Sequence, residues 1–113
     1  MIKLIKRAAS YIKSVVRNIF ADDYKIKMVS DDPETCKKKT VYIVQDGSEP
    51  ETLIFACPCG CRAVIKLNLL PDAKPCWIYL INDKNKITVT PSIWRKSGCK
   101  SHFFLRKSRI VWA

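Results

Sequence analysis

The stretch FACPCGC, residues 55–61, places three cysteines at alternate positions, with a proline and a glycine between them. The apolar run TLIFA leads into it, and a second apolar run, AVIKLNL, follows it. Two such runs separated by a turn that contains proline and glycine predict a pair of β-strands. The three thiols therefore lie on a turn, where a metal ion or a disulfide can fasten it.

A second cysteine turn lies much later in the chain, at GCKSH, residues 98–102. It offers Cys99 and His102, the only histidine, just before the apolar run FFLRK. Structural zinc sites take four Cys or His ligands, commonly two from each of two such turns. The two turns together predict a zinc site, and its candidate ligands are Cys57, Cys59, Cys61, Cys99 and His102.

The first turn carries one thiol more than a site of this type needs. Cys57 with Cys59 resembles the ordinary Cys-Pro-x-Cys-Gly knuckle with one residue removed. Cys57 with Cys61 gives a wider loop, which more easily spans a tetrahedral edge of roughly 3.7 Å. The sequence favours Cys57 with Cys61 and leaves Cys59 as an extra thiol or an alternative ligand. It does not choose between zinc and iron.

Composition favours metal over disulfides as the use of the six cysteines. At 113 residues and 48% hydrophobic, the chain can bury one small core, and a bound metal ion or a disulfide would add to its stability. Polar or basic residues interrupt every apolar run near the start, unlike a signal peptide, and no stretch is long enough to span a membrane. We therefore expect a cytoplasmic protein with reduced thiols, with a peripheral membrane contact as an alternative.

The first 20 residues have a helical period. Their apolar residues fall on one side of a helix, and lysine, arginine, serine and asparagine fall on the other. This pattern predicts a basic amphipathic helix over residues 1–20, whose apolar face packs on protein or lies in an anionic membrane surface. Residues 21–40 are polar, include Asp-Asp-Pro and predict a connector with a short strand over residues 24–29.

From residue 41 onwards, short strand-like segments alternate with turns. The predicted fold class is α+β, mainly β: the helix is followed by a zinc-stapled antiparallel β domain over residues 41–113, similar to a zinc ribbon. The hairpin CWIYLI-NDKN-KITVT belongs to this domain. The predicted core comprises Val41, Ile43, Leu53, Phe55, Val64, Ile65, Leu67, Trp77, Tyr79, Ile87, Val89, Phe103, Leu105 and Val111.

The formal net charge is +11, and neither the first 20 nor the last 30 residues contain an acid. A basic surface favours acidic partners such as phosphate backbones, anionic lipid or acidic proteins. The lysine run at residues 37–39 is more typical of a solvated loop than of a binding site. Candidate binding residues stand near the end of the chain, among aromatic residues suited to base stacking: Arg95, Lys96, Lys100, Arg106, Lys107 and Arg109.

Catalysis is the least favoured class of function at this level. The zinc deaminase pattern needs a glutamate beside its histidine, and that glutamate is missing here. The only histidine is a predicted metal ligand, which leaves no imidazole base to activate a thiol. We therefore expect a zinc-stapled binding protein more than an enzyme.

The blocks CPCGC, CWIYL, TVTPSIW and GCKSHFFLRKSRIVW resemble a family of small bacterial zinc-binding proteins of unknown function. The resemblance covers residues 41–113 and implies metal binding at the candidate ligands named above. It also implies a genomic setting beside ubiquitin-like, E1-like, E2-like and JAB-type proteins in antiphage operons. Two hypotheses follow: an accessory or adaptor protein, with an E3-like role included, that binds such a component; or a zinc domain that binds nucleic acid.

Overall fold

The computed structural model describes residues 23–113, which form two four-stranded β-sheets. The first sheet has the order β1-β2-β3-β4 and the second the order β5-β6-β7-β8. Within this part of the chain, no helix is long and apolar enough to cross a membrane. The strands are β1 (Lys25–Val29), β2 (Thr40–Gln45), β3 (Pro50–Ala56), β4 (Val64–Asn68), β5 (Ile78–Ile81), β6 (Ile87–Trp94), β7 (His102–Arg106) and β8 (Arg109–Trp112).

The α+β prediction is wrong, because residues 23–113 are all-β. The strand pairs that follow β2 are all antiparallel, as expected for residues 41–113. β1, which lies in the predicted connector, pairs with β2 in parallel. The connection over residues 30–39 carries the chain back, so that β2 starts beside the beginning of β1. The predicted helix over residues 1–20 lies outside the described residues, and the predicted domain boundaries stay a prediction.

The two sheets pack face to face around one apolar core. Inward residues of β2 and β3, such as Ile43 and Phe55, belong to the same buried cluster as Val89 of β6 and Phe103 of β7. The ring of Phe55 meets that of Phe103 edge to face, with centroids 6.1 Å apart. Strand alternation sends every second side chain to this layer, so most of the predicted core is confirmed. Val64 and Val111 are exposed instead.

The predicted hairpins at the end of the chain are confirmed. β5 and β6 pair antiparallel, as do β7 and β8. Lys107 and Ser108 form the turn between β7 and β8 with positive φ angles, as a two-residue hairpin turn requires. Ser108 is fully buried, and its hydroxyl accepts a hydrogen bond of 2.9 Å from the Ile87 amide. Its carbonyl accepts the Tyr24 amide at 2.8 Å, which ties the start of the described chain to the second sheet.

Asp23 reinforces that connection between the two sheets. Its carboxylate accepts hydrogen bonds from Lys86 and from Arg109 Nε, the latter at 2.9 Å. The hydrogen bond from Lys86 is the largest cause of a lowered pKa at Asp23, and Arg109 adds to it. A lowered folded-state pKa means stability that is present above about pH 4 and is lost as the pH falls through the folded value.

Replacing Asp23 with Asn should therefore lower the free energy of unfolding at pH 7 by about 1 kcal/mol. Urea denaturation of both proteins at pH 7 and pH 3 measures the effect. The difference between the two proteins should shrink at the lower pH, because the carboxylate of the unfolded chain is then largely protonated and the stabilisation that comes from the lowered pKa is being lost. An equal difference at both pH values would contradict this account of Asp23.

Candidate metal centre and serine–histidine pair

The first cysteine turn joins β3 to β4 at one end of the first sheet. The Cys57 amide donates to the Ala63 carbonyl at 2.8 Å, and the Gly60 amide donates to the Cys57 carbonyl at 3.2 Å. Gly60 has φ +90, a conformation that L side chains rarely adopt. The chain thus reverses within a few residues, and Cys57 is buried while Cys59 and Cys61 are exposed.

The second cysteine turn joins β6 to β7 in the other sheet and brings Cys99 to the same place. The Sγ atoms of Cys57, Cys59, Cys61 and Cys99 all lie within 4.8 Å of one another. Cys57 Sγ is 3.5 Å from Cys59 Sγ and 3.6 Å from Cys99 Sγ. These separations are close to the roughly 3.7 Å edge of a tetrahedral zinc–thiolate site. Four thiols, all free, thus form a group that can hold a metal ion between the two sheets.

Arg95, the first residue after β6, contacts this thiol group. Its Nη1 lies 3.4 Å from Cys61 Sγ and 3.2 Å from Cys99 Sγ. A Cβ at Gly98 would come within 3.3 Å of Arg95 Nη2, so the glycine leaves room for the guanidinium. A divalent ion with four thiolates carries a net charge of about −2, which the guanidinium partly offsets.

The thiols of the group differ in pKa because their surroundings differ. Burial raises the pKa of Cys57 to about 11. Hydrogen bonds from the Ser101 side chain and backbone lower the pKa of Cys99 to about 5, and Ser101 Oγ is 3.2 Å from Cys99 Sγ. The pKa of Cys59 is also lowered, chiefly by its hydrogen bond with Cys61. A metal ion must therefore displace a proton from Cys57, whereas Cys99 is already poised as a thiolate.

His102 lies with a serine instead of with the four thiols. Its Nε2 atom is 3.0 Å from the Oγ atom of Ser92, and both residues are half-buried. Within residues 23–113, no carboxylate forms a hydrogen bond with His102. A serine hydroxyl within hydrogen-bond distance of an imidazole nitrogen is the arrangement of a nucleophile and its general base.

Two observations explain how Ser92 reaches His102. The β6–β7 register pairs Trp94 directly with His102, and an irregularity interrupts this pairing between Val89 and Ile93. Such an irregularity re-aims the side chains of the affected strand. The Trp77 ring nitrogen donates to the Ser92 carbonyl at 3.4 Å and holds the backbone of this segment.

Two aromatic rings lie beside the His102 side chain. The Trp94 ring stacks on the imidazole with centroids 5.0 Å apart and planes 16° apart, and the centroid of the tilted Phe104 ring is 6.2 Å from that of the imidazole. Lys96 Nζ is 4.7 Å from the Trp94 ring centre, and the Arg106 guanidinium is 4.2 Å from that of Phe104. We call this series the aromatic row: Lys96, Trp94, His102, Phe104 and Arg106.

Residues 28–113 match a family model described as BubE, a bacterial ubiquitination-like system serine protease. The chain belongs to the BubE family. The predicted resemblance to a family tied to ubiquitin-like conjugation is thereby confirmed. Membership gives the protein a role in a bacterial ubiquitination-like system and indicates protein partners in that system. Neither a curated protein nor a solved structure matches the chain significantly.

In this BubE family member, the predicted site residues lie in several different environments. The four cysteines come together, whereas His102 contacts Ser92. Cys76 and Cys36 lie elsewhere and are half-buried. The predicted basic binding residues have different contacts: Arg95 contacts the thiols, Lys96 and Arg106 belong to the aromatic row, Arg109 pairs with Asp23, and Lys100 and Lys107 are exposed.

Ser92 is the functional candidate that sequence reasoning missed. It stands in the block TVTPSIW, which carried part of the family resemblance. Nothing in its neighbourhood along the chain distinguishes it from other serines, because its partner histidine lies on the next strand. The available signal was the combination of a serine in one such block with the single histidine in another.

Proposed function

We propose that this protein is a serine hydrolase of a bacterial ubiquitination-like system, with Ser92 as nucleophile and His102 as general base. The observation that carries the proposal is the 3.0 Å separation of Ser92 Oγ and His102 Nε2. The family description, a serine protease, supports the same chemistry. The earlier preference for a non-enzymatic role depended on His102 being a metal ligand, and four thiols can complete a zinc site without it.

The proposed reaction is acyl transfer to Ser92 followed by hydrolysis. In the neutral imidazole with its proton on Nδ1, the Ser92 hydroxyl donates to Nε2. Ser92 Oγ then attacks the substrate carbonyl carbon while its proton passes to Nε2. The imidazolium gives that proton to the leaving amine or alcohol as the scissile bond breaks, which leaves the acyl group on Ser92 Oγ. Nε2 then takes a proton from a water molecule that attacks the acyl carbon, and returns it to Ser92 Oγ as the ester bond breaks and the acid product leaves.

Trp94 takes over the orienting task that a carboxylate has in a Ser-His-Asp triad. A buried acid normally fixes the imidazole through Nδ1, and no carboxylate does so here within residues 23–113. The stacked Trp94 ring instead restricts the orientation of the imidazole plane, and the Phe104 ring lies nearby. Trp94 is therefore a positioning residue in this proposal, since it acts on the reaction through His102.

Replacing Trp94 with Leu should reduce the rate of covalent reaction with a fluorophosphonate probe by about 10- to 100-fold, because the imidazole loses its orientation. Trp94→Phe, which keeps a planar ring, should retain most of the rate. Trp94 is 55% exposed, so thermal stability should change little in either variant. His102 is the only histidine, so its ring protons give single NMR signals that should lose their stacking shift in Trp94→Leu. A Leu variant that reacts at the wild-type rate would remove Trp94 from this role.

The four cysteines fit a structural zinc site in this proposal. Cys57, Cys59 and Cys61 come from the turn of the first sheet and Cys99 from the turn of the second, so a bound ion links the sheets at one end. The ion supplies folding energy. The turn that carries Cys99 joins the strand of Ser92 to the strand of His102, because it connects β6 to β7. A bound ion would therefore fix the segment between the two catalytic residues.

A ubiquitin-like protein of the system is the substrate that best tests the proposal. The purified enzyme should cleave such a protein when its C-terminus is extended by a reporter domain, and gel electrophoresis measures the release. Ser92→Ala should leave the extended protein intact. Equal cleavage by wild type and Ser92→Ala would overturn the proposal.

An adaptor role is a second candidate, favoured by the exposed edge of the second sheet. β5 is an edge strand, and its Ile78 and Leu80 are 64% and 71% exposed. Exposed apolar side chains on an edge strand are suited to pairing with a partner's strand. Binding of an E1-like, E2-like or ubiquitin-like protein that persists in Ser92→Ala and is lost in Leu80→Glu would support this role. An adaptor of this kind is consistent with the proposed cytoplasmic location.

A further inference from the structure

The strongest unassigned feature is a lysine-lined cavity at the β1 edge of the first sheet, where β1 and β2 begin. It has a volume of about 350 Å³, within the usual range of small-molecule sites. Five lysines line it, and the remaining lining residues are Asp23, Ile26, Thr40 and Tyr42. We call it the lysine cavity, defined by Lys25, Lys27, Lys37, Lys38 and Lys39.

The fold brings these lysines together from two elements. Ile26 packs against the main core, so Lys25 and Lys27 project from the opposite face of β1. The segment 37–39 is fixed above that face: the Lys37 amide donates to the Tyr42 hydroxyl at 3.0 Å, and the Thr40 hydroxyl donates to the Lys38 carbonyl at 3.2 Å. The Lys25 amide donates to the Lys39 carbonyl at 2.9 Å. The lysine run is therefore held in a defined conformation.

The positive charge of the cavity is uncompensated within residues 23–113. The carboxylate pairs of this region involve Lys66, Lys86 and Arg109, and none of the five cavity lysines. Asp23, which also lines the cavity, is already engaged by Lys86 and Arg109. Five ammonium groups around one concavity repel one another, and a bound polyanion would relieve that repulsion.

We infer that the lysine cavity binds a small polyphosphate ligand. All five cations are lysines, which bind phosphate as point charges, and a polyphosphate brings several negative charges into a cavity of this size. The one aromatic lining residue, Tyr42, is buried and offers no exposed face for stacking a base. A single-stranded nucleic acid needs both an extended groove and such faces. The inference is independent of the reaction proposed for Ser92 and His102.

Isothermal titration with tripolyphosphate tests the inference, using the full chain in 0.1 M NaCl. The double variant Lys27→Gln/Lys38→Gln removes two cavity charges. The matched control, Lys74→Gln/Lys84→Gln, removes two exposed charges elsewhere. Wild type should bind one tripolyphosphate. The cavity variant should bind on the order of tenfold more weakly, while the control should stay within about twofold of wild type.

Three outcomes would overturn the inference. The first is the absence of saturable tripolyphosphate binding by wild type. The second is an equal loss of affinity in the cavity and control variants, which would assign the binding to net charge. The third is an oligonucleotide that binds wild type and that excess tripolyphosphate does not displace. Because all four lysines are exposed, thermal melting should show that each variant folds like wild type.

Discussion

Replacing Ser92 with Ala is expected to slow hydrolysis by at least about 10³-fold, because the variant lacks the hydroxyl that forms the acyl-enzyme. Ser92 Oγ is the hydroxyl oxygen that lies 3.0 Å from His102 Nε2, so its removal deprives the base of its partner. Single-turnover cleavage of the extended ubiquitin-like protein measures the effect. His102→Gln should reduce the rate by about 10²- to 10⁴-fold, the usual contribution of a general base.

Ser101→Ala is the matched control for Ser92→Ala. Ser101 is also half-buried and directly precedes His102 in the sequence, but its hydroxyl contacts Cys99 and not His102. This control variant should retain hydrolysis within about threefold of wild type, because it leaves the nucleophile and base in place. If Ser101→Ala loses as much activity as Ser92→Ala, the assignment of the nucleophile is wrong.

Replacing Cys57 with Ser is expected to abolish metal binding and to lower the free energy of unfolding by about 3 kcal/mol or more. Cys57 is the buried member of the thiol group and the one that contacts both Cys59 and Cys99. Its loss therefore removes the link between the two sheets. Elemental analysis should find about one zinc per wild-type chain and close to none in the variant, and thermal melting should show the destabilisation.

Two matched variants decide which residues hold the ion. Cys76→Ser removes a half-buried thiol outside the group and should leave the zinc content unchanged. His102→Gln should also retain zinc, because four cysteines complete the tetrahedral site. Loss of zinc in His102→Gln together with its retention in Cys59→Ser or Cys61→Ser would show that histidine is a ligand and would contradict the four-cysteine site.

The strands and the core were predictable from the sequence because both follow from local alternation. Phe55 and Leu105, for example, occupy inward positions, which the alternation of side chains along a strand identifies. The arrangement of the strands was not predictable in the same way. The parallel pairing of β1 with β2 depends on how residues 30–39 return the chain, and the sandwich depends on packing between segments far apart in sequence.

The candidate site was predictable only where its residues share a local motif. Alternating cysteines on one turn and Cys99 on another indicated a metal group because metal ligands commonly lie on such turns. The contact between Ser92 and His102 arises from the β6–β7 register and its irregularity, which no local pattern encodes. For the same reason the lysines of β1 and of the segment 37–39 gave no sequence signal that they line one cavity.

Peptide mapping by mass spectrometry after reaction with a fluorophosphonate probe tests the central claim most directly. The probe forms a covalent bond with an activated serine and displaces fluoride. The account predicts one adduct per chain, on Ser92, and its loss in His102→Gln. An adduct on Ser101, or no adduct on a folded, zinc-loaded protein, would contradict the claim that Ser92 and His102 form a catalytic pair.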